Sequence, residues 1–204
     1  MVNKYIKFTL ACALAVLTAL SAQIRFYLGV IPYTFQNFAI ILSGLILGKY
    51  GFVSQLIYLA MIALGFPASA RGGGVGALLG YTAGYLWMFP VSAFIMGVIR
   101  KIVWRTGSKR ELVLLWLGSA LAVVPLYLFG FYIFWLWASG SKNLLEWCTN
   151  VAEMFGLKLN PFWAVFFAAV AVFIPQDLLM DHVLALIVFK YIYKLLKERG
   201  YDLP

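Results

Sequence analysis

Charge is scarce in this chain: 11% of its 204 residues are Asp, Glu, Lys or Arg, whereas 64% are hydrophobic. Soluble domains carry about 25% charged residues, so the composition excludes a soluble globular fold and indicates a membrane protein. Acids are rarer than bases, seven against sixteen, and there is one histidine, His182. The two cysteines, Cys12 and Cys148, lie too far apart in the chain to suggest a disulfide framework. A lone histidine without metal-ligand spacing gives no reason to expect a metal centre. Gly44-Leu45-Ile46-Leu47-Gly48-Lys49-Tyr50 is one residue short of a Walker A loop between its glycines and lacks the following Ser or Thr, so no nucleotide site is expected.

The basic residues mark the ends of apolar runs, which argues against a nucleic-acid surface. Lys4, Lys7, Lys49, Arg100, Lys101, Arg105, Lys109, Arg110, Lys190, Lys194, Lys197 and Arg199 fall on one side, against Arg25, Arg71, Lys142 and Lys158 on the other. The positive-inside rule then places both termini in the cytoplasm and requires an even number of spans. The expected fold is one all-α membrane domain over residues 1–204, with six transmembrane helices embedded in the lipid bilayer.

The first run, Tyr5 to Ile24, is long enough to cross a bilayer. It also has the outline of a signal peptide, with Ala19-Leu20-Ser21 as a passable cleavage site, but it is long for an h-region and its loss would leave an odd span count. Ala11, Ala15 and Ala19 recur every four residues, a stripe that admits close approach of another helix, internal or from a partner. The runs Phe38 to Leu47 and Phe52 to Phe66 are each short, and predict a helical hairpin tipped by Lys49. A fourth span ends near Ile99 with Pro90 inside it, and a fifth runs from Leu112 to Trp137 around Pro125. Residues 138–160 read as an outer loop. Pro161 to Ile174 is too short to cross, and the sixth span begins near Pro175.

Within these runs, Ile174-Pro175-Gln176-Asp177-Leu178-Leu179-Met180-Asp181-His182 places three ionisable groups in apolar surroundings. Such groups are costly at membrane depth and mark ligand or ion sites by default. Asp177 and Asp181 share a helix face. Asp177 also suits a helix start, where the dipole favours an anion. Arg71-Gly72-Gly73-Gly74 offers a guanidinium beside freely placed backbone, suited to a ligand carboxylate or to lipid phosphate.

Together these stretches resemble the BioY family, the biotin-capturing S components of energy-coupling factor (ECF) transporters. The resemblance rests on Ile31-Pro32-Tyr33-Thr34-Phe35-Gln36, on Leu64-Gly65-Phe66-Pro67 before the glycine loop, on Gly80-Tyr81-Thr82-Ala83-Gly84-Tyr85 and on Pro175-Gln176-Asp177. It implies a biotin-like ligand held by Thr34, Phe35, Gln36, Arg71, Gly73, Gly74, Tyr85, Asp177, Met180 and Asp181. It implies no cofactor, metal or catalytic residue, and ATP hydrolysis by two partner ATPases. It also implies a coupling protein docked on Ala11, Ala15 and Ala19. Where the family carries a lysine three residues after the acid, this chain has Met180, so one donor is missing; Arg71, His182 or a backbone N–H are the candidates to replace it. A proton-coupled carrier using Asp177, Asp181 and His182 and a hydrolase using the two acids are the competing classes. The chain shows no inverted repeat for the first and no nucleophile motif for the second.

Overall fold

The structure, a computed structural model, describes residues 4–29 and 31–200. Helix α1, Lys4–Gln23, contains neither Gly nor Pro and stops at a small antiparallel hairpin, β1 Arg25–Leu28 and β2 Ile31–Thr34. Sequence predicts only a turn there. Helices α2, Gln36–Leu47, and α3, Gly51–Ala63, follow around a single 3-10 turn. A short α4, Val75–Leu79, leads to α5, Ala83–Val103. Helices α6, Lys109–Ala122, and α7, Val124–Ser139, meet at Val123, two residues before Pro125. Among the described residues, five helical stretches are long and apolar enough to cross a membrane: Lys4–Gln23, Gln36–Ala63, Ala83–Val103, Lys109–Ser139 and Pro161–Glu198. Large apolar side chains such as Phe8, Leu20, Leu121 and Ile187 are exposed on their outer faces, as lipid contact requires.

Two expectations change. The stretch 138–160 is mostly helix: α8, Lys142–Met154, buries Cys148, Val151 and Ala152 against the bundle. Pro161–Ile174, expected to be too short to cross and to precede a span starting near Pro175, instead runs on into the last span. α9 (Pro161–Phe166), a π segment (Phe167–Ala171), α10 (Ile174–Gln176), a second π segment (Asp177–Asp181) and α11 (His182–Glu198) form one helical path.

Helix α2 is the axis of the bundle. Residues 39–48 are all buried, and the helix packs on α1, α3, α5 and α11. Gly44 makes this possible, since a Cβ there would lie 2.5 Å from the Ala93 carbonyl oxygen of α5. α2 and α3 form a true hairpin: a Cβ on Gly51 would lie 2.8 Å from the Gly44 nitrogen, an approach impossible along one continuous helix. The ends of α2 are closed by remote side chains. Its N-cap, Phe35, offers no side-chain bond, and Asp181 Oδ2 instead accepts the Phe38 N–H at 3.1 Å. At the other end Arg100 donates to the Ile46 carbonyl at 3.3 Å.

The alanine stripe of α1 also faces inward. Ala11 and Ala15 are buried in the cores shared with α2, α3 and α5, and Ala19 is half-buried beside them. Small side chains here let α1 close on the α2–α3 hairpin.

Candidate ligand-binding site

Two apolar cores meet beneath the β-hairpin. One joins α1, α2, α3 and α5 through Ile40, Tyr58, Leu86 and Phe89; the other joins the hairpin, α7, α8 and α9 through Ile31, Phe134, Val151 and Val165. Between them lies a cavity of about 400 Å³. That is within the usual range for a small-molecule site.

Its polar end is assembled by the second π segment. The extra residue in such a turn recurs at functional sites because it re-aims side chains. Asp177 lines the cavity and is 4% exposed. Its Oδ2 accepts from Asn37 Nδ2 at 2.6 Å and from the Tyr127 hydroxyl. Among the described residues, no group donates to Asp177 Oδ1, and the buried Asn37 Oδ1 likewise has no partner. Thr34 donates to Gln36 Oε1 at 3.2 Å and Gln36 donates to the Tyr58 hydroxyl at 2.8 Å, which ties β2 to the α2–α3 hairpin. Gln176 donates to Asp181 Oδ1 at 2.6 Å and to the Thr34 carbonyl at 3.3 Å.

The walls are aromatic: Tyr81, Tyr85, Phe89, Tyr127, Phe134, Trp147 and Phe173. Tyr85 donates to the Ala169 carbonyl at 2.7 Å in the first π segment, which fixes its ring. Behind them Tyr33 stacks on Phe26 and donates to the Val172 carbonyl at 3.1 Å. Burial, and secondarily the charge of Asp177, raise its pKa, so the phenol stays a donor. At the mouth are two exposed guanidiniums. Arg71 sits 3.9 Å over the Tyr81 ring. Arg25 donates to Gln23 Oε1 at 3.0 Å, and Gln23 in turn donates to the Pro67 and Ser69 carbonyls, linking α1 to the glycine loop.

Of the residues singled out in the sequence, Thr34, Gln36, Arg71, Tyr85 and Asp177 line the cavity. Phe35 does not; its ring packs 6.0 Å from Phe26. Gly73 and Gly74 shape the loop without lining the cavity. A Cβ on Gly73 would lie 2.0 Å from the Phe66 carbonyl oxygen, and Gly74 takes a φ of +92° and donates to the Ile62 carbonyl. Asp181 is fully buried one layer behind, capping α2 and orienting Gln176. Met180 is 44% exposed and does not line the cavity. His182 hydrogen bonds Ser119 at 2.9 Å, away from the cavity, and among the described residues neither Asp177 nor Asp181 bonds to it. Sequence reasoning passed over Arg25, Asn37, Tyr127, Trp147 and Gln176. Gln176 stands inside a motif already marked and Asn37 directly follows another, whereas Arg25, Tyr127 and Trp147 lie in none.

A half-enclosed aromatic cavity at one end of a multi-pass helical bundle, acid at its buried end and cations at its mouth, defines a membrane protein built to hold a small polar molecule. The chain matches the profile of the BioY family over residues 2–198, and it belongs to that family. It is 39% identical over 131 residues to the probable biotin transporter BioY of Pyrococcus horikoshii, covering 63% of this chain and 72% of that protein. It is 35% identical over 108 residues to the biotin transporter BioY of Thermotoga maritima, covering 52% and 60%. A crystal structure of the S-component for biotin from an ECF-type ABC transporter shares the fold, with a TM-score of 0.70 at 22% identity over 95% of each chain.

Proposed function

We propose that this protein is the substrate-capture component of an ECF vitamin transporter and binds biotin in the cavity beneath its β-hairpin. The observation that carries this reading is the unbonded Oδ1 of Asp177, a carboxylate that lines the cavity, with Arg25 and Arg71 at the mouth. Biotin is complementary to that arrangement. Its cyclic urea presents N–H donors, its body is apolar, and its tail ends in a carboxylate that a guanidinium can hold. Counting the α2–α3 hairpin as two crossings gives six spans, and the clustered lysines and arginines favour an arrangement with both termini in the cytoplasm and the cavity outside.

The capture component needs no metal or nucleotide of its own in this reading. Inward delivery follows docking to a transmembrane coupling protein and two ATPases. Calorimetric titration of the purified protein with biotin and with biotin methyl ester tests the assignment: saturable heat at micromolar biotin, weaker for the ester, is expected. No heat with either ligand overturns it.

A further inference from the structure

A second cavity, of about 420 Å³, opens at the far end of the bundle, where α5 and α11 finish. The 21 residues of α5 separate it from the ligand cavity by roughly 30 Å at 1.5 Å per residue. One wall is a face of α11: Lys190, Tyr193, Lys194 and Lys197 follow the i, i+3, i+4, i+7 spacing of neighbours on a helix. The opposite wall is Trp104 with Thr106 and Gly107, just past the end of α5.

Three features set this place apart from an ordinary row of lysines facing headgroups. The Trp104 ring is fixed edge-on to Phe189 and Tyr193, at 5.0 and 5.2 Å, yet its buried indole N–H has no acceptor. Buried indoles normally find one. The charges are unbalanced: Lys194 pairs with Glu198 at 3.8 Å, Lys197 lies over the Tyr193 ring, and among the described residues Lys190 has no acidic partner. Finally, the turn that would offer backbone amides to an anion is already filled. Arg105, Thr106 and Gly107 N–H groups all donate to Glu111, which holds the Trp104 wall in place and leaves the lysine side open.

We propose that this cavity binds a phosphate group, presented by an anionic lipid headgroup, through the Trp104 indole N–H and the ammonium groups of Lys190 and Lys197. The site is independent of the biotin reading, since none of its residues touches the ligand cavity. Anionic headgroups are favoured at basic pockets between helix ends, and a diester phosphate supplies the acceptor oxygens that the indole lacks.

The test uses the full chain purified in an uncharged detergent, with native mass spectrometry and thermal unfolding as readouts. Phosphatidylglycerol should add as one saturable copy and raise the unfolding temperature, while phosphatidylcholine should not. Lys190→Gln/Lys197→Gln should weaken this binding by about tenfold or more, because each lysine near a charged headgroup contributes on the order of 1 kcal/mol. Trp104→Phe keeps the aromatic packing, removes only the donor, and should also weaken it. Protection by inorganic phosphate alone, lost in the same variants, would support the site with a free anion as its occupant. Equal lipid binding by wild type and both variants overturns the proposal.

Discussion

Asn37 donates one hydrogen bond of 2.6 Å to Asp177 across 140 positions of sequence, and each of the two side chains is left with an oxygen that no described residue satisfies. The bond joins the start of α2 to the π segment of the last span. It also holds Asp177 on the cavity wall with its Oδ1 unbonded. A buried acceptor without a donor costs about 1 to 3 kcal/mol, and a ligand with N–H groups recovers that cost on binding.

Asp177→Asn replaces the anion by an amide whose NH2 repels a ligand donor. Hydrogen bonds to charged groups are worth about 1.5 to 3 kcal/mol, so biotin affinity should fall at least about tenfold. Calorimetric titration measures the loss, and size-exclusion chromatography confirms that the variant still folds. Unchanged affinity would reduce Asp177 to a residue that merely shapes the turn.

Arg71→Ala separates the two ends of the ligand. The variant should lose about tenfold in affinity for biotin, the scale of one charge-assisted hydrogen bond, yet bind biotin methyl ester as the wild type does. Equal losses for acid and ester would mean that Arg71 acts through its stacking on Tyr81 and makes no contact with a carboxylate.

The acid was legible in the sequence because an ionisable group inside an apolar run has few structural reasons to be there. The hairpin of α2 and α3 was legible for a similar reason: two short apolar runs around Gly48-Lys49 have no other way to stay within a membrane. What could not be read was direction. Met180 follows Asp177 by three residues, a spacing that places both near one face of an α-helix, but the π segment widens the turn and leaves Met180 exposed. Asp181 looked like a second ligand group, and its role as a cap for α2 depends on Phe35 being unable to cap that helix itself. Trp147 was hidden by the polar residues around it. The apolar set Leu144, Cys148 and Val151 has helical spacing, and it carries Trp147 to the cavity wall.

Met180→Lys turns that directional difference into a measurement. A lysine on an exposed position off the cavity gains no ligand contact, so biotin affinity should stay within about twofold of wild type, as for surface substitutions generally. A large gain would show that position 180 reaches the ligand in the bound state.

Asp181→Ala should act on stability rather than on recognition. It removes the acceptor for the Phe38 N–H and one partner of Gln176, leaving buried donors unpaired at a cost of about 1 to 3 kcal/mol. The unfolding temperature in detergent should drop, while affinity measured well below the transition changes far less than in Asp177→Asn. The reverse pattern would place Asp181 in the ligand shell.

Gly97 tests the frame that holds the site. A Cβ there would fall 2.1 Å from the Gly48 carbonyl carbon and oxygen and 2.7 Å from the Lys49 nitrogen, so α5 could not keep its place against the tip of the α2–α3 hairpin. The obstructing atoms are backbone and cannot swing aside as a side chain would. Gly97→Ala should therefore cost about 1 to 3 kcal/mol or more, the range for overpacking a close-packed interior. Gly76→Ala is the control, because a Cβ at Gly76 meets nothing within 4 Å. Heating both variants in detergent and measuring the monodisperse fraction should show early loss for Gly97→Ala and wild-type behaviour for Gly76→Ala. Since α2 carries Gln36 and Asn37 at one end and abuts Gly97 at the other, any Gly97→Ala protein that survives should also bind biotin more weakly, although position 97 lies far from the cavity.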